Sequence, residues 1–113
     1  MVIVFTRGDT QIIKFGLKDK AGNDITLAEG DKLYFTVKKT TTSKDVLFQK
    51  VYPTNIVIED GLYKLTIEPT DTDELEYGEY NYDIELKTGT YVKTLIKDKL
   101  IITDEVTFAG DEV

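Results

Sequence analysis

The chain predicts an all-β fold, a sandwich of about seven to nine strands in one domain covering residues 1–113. Three observations carry that expectation. Turn residues recur about every ten positions, with strand-like runs between them. Tyr80, Tyr82, Ile84 and Leu86 alternate with Glu79, Asn81, Asp83 and Glu85, which gives one strand with a dry face and a wet face. The third is the stretch Leu75, Gly78, Tyr80, Tyr82. It has the form of a tyrosine corner, in which a Tyr near the start of strand F bonds back to the preceding backbone. Tyr80 is the corner residue and Tyr82 stands where antibody domains place their second cysteine. The expectation is therefore an immunoglobulin-like antiparallel β-sandwich.

Each element follows from local chemistry. A short apolar run, residues 2–5, ends at Gly8 and Asp9. Residues 11–18 follow, with Ile13, Phe15 and Leu17 alternating against Lys14, Gly16 and Lys18. Residues 19–24 form a turn cluster. Residues 32–39 read as a strand with Leu33, Phe35 and Val37 facing in; 40–45 is a polar loop; 46–51 is a shorter strand that Pro53 either ends or marks as an edge. Asp60-Gly61 is a preferred two-residue type I′ turn, and it sets Ile58 opposite Tyr63 and Ile56 opposite Leu65. Those four and Ile67 then share one face, with Val57, Lys64 and Thr66 on the other. Pro69 to Leu75 is the one helix-like piece, with Thr70 as its cap answered by Asp73 or Glu74, and with Leu75 plugging the core. Thr88-Gly89 turns the chain into residues 91–97, where Tyr91 and Leu95 compete with Val92 and Ile96 for the inner face. Residues 100–108 form the last strand.

Composition excludes several classes of function. The chain has no Cys and no His, which removes disulfides, thiolate metal sites and a base titrating near neutrality. Net charge is −7, from 21 acidic and 14 basic residues. Nucleic acids and anionic membranes draw on basic side chains, so neither is an expected partner. The lone serine, Ser43, sits in a polar loop with no base beside it. The paired carboxylates fall on outer faces or in turns, where a glycosidase cleft has no room. The expectation is a non-enzymatic protein with no catalytic residues and no cofactor.

Other features also have structural readings. Asp71, Asp73, Glu74 and Glu76 are close in sequence but lack the glycine and spacing of a calcium loop, so no metal site is expected. Arg7-Gly8-Asp9 spells the tripeptide that integrins read, yet Gly8-Asp9 has sufficient reason as a turn. Phe15, Phe35, Tyr63, Tyr80 and Tyr82 fall on inner faces; Tyr34, Phe48, Tyr52, Tyr77 and Tyr91 are the aromatics whose exposure would decide whether a stacking platform exists.

The framework has a further likeness. It comprises Phe5-Thr-Arg-Gly-Asp-Thr10, Asp31-Lys-Leu-Tyr-Phe-Thr-Val-Lys38, Gly61-Leu-Tyr-Lys-Leu-Thr-Ile-Glu-Pro-Thr-Asp-Thr72, Leu75 through the Tyr80 corner to Ile84, and Ile102-Thr-Asp-Glu-Val-Thr107. It resembles small single-domain β-sandwich proteins of phages and prophages in Gram-positive hosts. More loosely, it is similar to the N-terminal sandwich domain of siphophage upper baseplate proteins. The resemblance implies a structural or accessory protein associated with a virion, whose partners are virion or tail proteins; the apolar start at residues 2–5 is too short for a signal peptide, so synthesis in the host cytoplasm is expected. The resemblance brings no catalytic or ligand residues. The expected adhesive surfaces are the edge runs 2–5 and 106–108, which also offer a route to self-association. The alternative is a carbohydrate- or ligand-binding module at a cell surface; a third reading is an enzyme accessory or inhibitor domain.

Overall fold

A computed structural model describes residues 1–19 and 21–104. Its strands are β1 (Ile3–Thr6), β2 (Gln11–Phe15), β3 (Lys32–Lys38), β4 (Phe48–Tyr52), β5 (Ile56–Glu59), β6 (Leu62–Ile67), β7 (Gly78–Thr88) and β8 (Tyr91–Thr103), with one helical turn, α1 (Pro69–Thr72), before β7. They form a five-stranded sheet, β1-β8-β7-β3-β4, and a three-stranded sheet, β2-β6-β5. β3, β7 and β8 correspond to the C, F and G strands of the immunoglobulin plan and β2-β6-β5 to its B, E and D strands, with β4 an added edge strand of the variable-domain kind. The fold is an immunoglobulin-like β-sandwich, as expected.

The alternating patterns built both inner faces. Leu33, Phe35 and Val37 of β3 pack with Tyr82, Ile84 and Leu86 of β7, and Ile56, Leu65 and Ile67 close over them from the smaller sheet. Phe35 lies 5.2 Å from Tyr82, centroid to centroid, within range for a favourable aromatic pair. The β5–β6 hairpin has the expected register, Ile56 opposite Leu65 and Ile58 opposite Tyr63. Its turn holds Asp60 at φ 52° and Gly61 at φ 79°, as type I′ requires. Ile58 shares the inner side but is 54% exposed, because the opposite sheet does not extend that far.

Several expectations are corrected. β1 runs parallel to β8, Ile3 opposite Leu100, so the sandwich is antiparallel except at this edge. β2 ends at Phe15, although Leu17 still turns its side chain into the core. β4 begins at Phe48, and Val46 is exposed. The cap of α1 is Glu68 rather than Thr70: the Glu68 N–H donates to Asp71 Oδ2 at 2.7 Å. Pro69 supplies the reason, since its fixed φ suits the first helical position and places the cap one residue before it. The two runs expected at 91–97 and 100–108 are one strand through Thr103, because residues 98 and 99 hold neither Gly nor Pro and stay paired with β7, Asp98 opposite Tyr82 and Lys99 opposite Asn81. The remainder of that run, including the expected edge at 106–108, lies outside the described residues.

The contest for the inner face of residues 91–97 is resolved by a bulge. The β7–β8 register shifts between Ile84 and Glu85, so Ile84 faces Ile96 but Glu85 faces Thr94. Leu95 is the extra residue, and both Leu95 and Ile96 become partly buried against the core. Tyr91 and Val92 both remain exposed, at 55% and 51%.

Candidate interaction surface

The corner that precedes β7 gathers most of the residues singled out in the sequence. Gly78, at φ 135°, lets the chain turn into the strand. The Tyr80 hydroxyl donates to the Glu76 carbonyl at 2.7 Å, which is the bond the motif requires. Burial pushes that phenol above its ordinary pKa, with the Glu76 charge adding to the effect. Arg7 reaches the same corner from the β1–β2 turn. Its guanidinium donates to the Leu75 carbonyl at 3.2 Å and the Tyr77 hydroxyl at 3.0 Å, and it lies 4.3 Å from the Tyr77 ring centroid. Gly8, at φ 80°, donates its N–H to the buried Thr72 hydroxyl at 3.0 Å. The Arg7-Gly8-Asp9 tripeptide therefore ties the first turn to the corner, and its arginine is committed to that contact.

The acidic run does not converge. Asp71 is turned onto Lys50, with Nζ to Oδ2 at 2.7 Å and both side chains largely buried. Among the described residues no three carboxylates lie close enough to hold a metal ion. Ser43 serves its own loop: its hydroxyl accepts the Asp45 N–H at 3.2 Å. Phe48 is buried, and Tyr34 and Tyr52 are half-buried. Tyr77 and Tyr91 are the exposed aromatics among the described residues, at 39% and 55%. They sit near opposite ends of the 11-residue strand β7, roughly 35 Å apart, so they form no common stacking surface.

One surface was not foreseen as a site. β8 has 13 residues, and β1 covers only its last four, from Leu100 to Thr103. Among the described residues no strand pairs with the outer edge of β8 along residues 91–99. Beside that edge the two sheets part. The β2–β3 connection folds back, with Ile25 donating its N–H to the Leu17 carbonyl at 2.9 Å. A cleft of about 660 Å³ opens between this connection and the β7–β8 hairpin, with Leu17, Ile25, Leu86, Leu95 and Ile96 as its apolar lining. Lys93 lines it too, since it sits opposite Leu86 on the inner side of the sheet. The sequence held one signal for this surface: residues 91–99 carry no Pro or Gly and too few strongly apolar positions to be covered on both faces.

No protein-family model matches the chain, and no curated protein matches it. Among solved structures, an NK cell receptor described as a triggering partner in natural cytotoxicity is similar at 15% identity, over 90% of this chain and 96% of that one, with a TM-score of 0.49.

Proposed function

We propose that the chain is a non-enzymatic contact module, a structural or accessory protein of a phage or prophage particle that docks by protein–protein contact. The observation that carries this reading is the free edge of β8 beside an apolar cleft. Unpaired strand backbone next to pockets for alternate side chains is how proteins accept an added strand. The cleft also lies at the end of the sandwich where the β2–β3 and β7–β8 connections cluster, the end that variable domains use for recognition. The virion or baseplate setting rests on the sequence resemblance. The glycan-binding alternative needs neighbouring exposed aromatics, and among the described residues Tyr77 and Tyr91 lie apart.

The test is direct. The purified chain should form a complex with itself or with a protein encoded by a neighbouring gene, detected by native mass spectrometry, and hydrogen exchange should slow at residues 91–99 in that complex. A chain that stays monomeric and binds none of those proteins would overturn the reading.

A further inference from the structure

The inner side of the β8 edge carries a short alternating pattern. Up to the bulge, Tyr91, Lys93 and Leu95 fall at alternate positions, and all three line the cleft. Beyond the bulge the alternation reverses, and Lys97 lies on the outer side opposite Asp83. The free stretch that faces the cleft in regular register is therefore residues 91–95. It reads aromatic, cation, aliphatic, and its complement is an extended segment that reads apolar, acid, apolar at alternate positions.

Lys93 is the open charge of the cleft. Lys18 is spent on Asp24 at 2.7 Å, and Asp19 Oδ1 accepts the N–H groups of Ala21 and Asn23 at 2.9 Å each. Among the described residues Lys93 has neither an ion pair nor a side-chain hydrogen bond. We propose, resting on the reading of the β8 edge as a contact surface, that an extended segment of another protein adds along residues 91–95. Its acidic side chain lies against Lys93, and apolar side chains two places to either side enter the cleft beside Tyr91 and Leu95.

Charge decides between a second copy and a different protein. Pairing residues 91–95 with themselves across a two-fold axis at Lys93 sets the two lysines directly opposite each other, which destabilises a strand pair. The other free edges among the described residues lack the complement. β1 carries no charged residue, and β2 and β4 carry Lys14 and Lys50 and no acid. β5 carries Glu59, but Lys14 at 3.3 Å and Lys64 at 2.9 Å already hold that carboxylate. The strand also ends there, so no apolar residue follows two places on.

Titration of the full chain with an end-capped seven-residue peptide tests this, with glutamate at its centre, valine two places to either side and threonine elsewhere. Amide NMR shifts should concentrate at residues 91–97 and at Leu17 and Ile25 across the cleft. A glutamine-centred peptide should bind about fivefold more weakly, a gap that narrows as salt rises. Lys93→Glu should reverse the preference, so that a lysine-centred peptide becomes the tighter ligand. Lys93 is exposed, and circular dichroism checks that the variant folds. Equal binding of the glutamate and glutamine peptides, or a preference that Lys93→Glu leaves unchanged, would overturn the acidic-segment assignment. So would a glutamate peptide that does not bind, or association of the chain with itself through residues 91–99. In those cases a neighbouring gene product or a second copy that protects residues 91–99 from exchange leaves the contact-module reading standing. A monomer that binds nothing would sink both.

Discussion

The hydroxyl of Tyr80 donates to the carbonyl of Glu76, four residues upstream, at 2.7 Å. This bond closes the link that carries the chain from β6 in the smaller sheet to β7 in the larger, and the ring is 3% exposed beneath it. Losing the hydroxyl alone in Tyr80→Phe should cost on the order of 1–2 kcal/mol, since the Glu76 carbonyl loses a buried donor. Tyr80→Ala should cost about 3–5 kcal/mol, as a core aromatic deletion. Denaturant melts of both variants measure this, and a neutral result for both would mean that the corner does not stabilise the fold.

Much of this architecture was readable from period and turn chemistry. The inner faces of β3 and β7, the hairpin at Asp60-Gly61 and the Tyr80 corner each follow from local rules that agree with one another. What was not readable depended on distant parts of the chain. The bulge at Leu95 arises from how β7 and β8 fit together, and no residue in the sequence marks it. Lys50 sits between Phe48 and Tyr52 on the inner side of β4, opposite Phe35, where a charge reads as an error until its partner is known. The cleft was hidden because it exists only where a long hairpin outruns the short sheet facing it.

That buried lysine makes a specific prediction. The Lys50 ammonium lies 2.7 Å from Asp71 Oδ2, and the same oxygen accepts the Glu68 N–H. Asp71→Asn keeps an acceptor for the cap but strands a charge inside the sandwich, so it should cost about 3 kcal/mol. Combining it with Lys50→Met removes the stranded charge and should recover most of that loss. A double-mutant cycle by urea unfolding measures the coupling, and simple additivity would show that the pair is not an energetic unit.

Stability should fall at alkaline pH by a route that can be assigned. Burial, with the Asp98 charge second, pushes the Tyr82 phenol from 10.0 up to about 12. Burial also raises Tyr63 and Tyr80. Folded values above the unfolded ones mean that the unfolded chain releases these protons first. The stabilisation is fully present below the ordinary tyrosine value and is lost as pH rises from about 10 through about 12. Glu59 has the opposite sign: hydrogen bonds from Lys64 and Lys14 lower its pKa, so its contribution is present above 4.5 and is lost as pH falls through the folded value. Urea midpoints across the alkaline range should decline, and Tyr82→Phe should flatten that decline; an unchanged slope would remove Tyr82 as its source.

Two glycines in the smaller sheet's connections separate backbone need from space. Gly61 sits at φ 79° with nothing within 4 Å of where a Cβ would stand, so only the backbone resists a side chain there. Gly61→Ala should destabilise by about 1 kcal/mol or more, since an L-residue in the left-handed region is strained and the hairpin turn needs that conformation. Gly16 is not in that region, and a Cβ on it would meet Leu62 Cδ2 at 3.6 Å, an ordinary contact. Gly16→Ala should therefore stabilise the fold by about 0.4–1 kcal/mol, because the unfolded chain loses more freedom than the folded one. Thermal melts of the two variants should move in opposite directions. Equal shifts would mean that the turn at Asp60-Gly61 relaxes to another type when its glycine is replaced, and the register of β5 against β6 would then have to come from the apolar pattern alone.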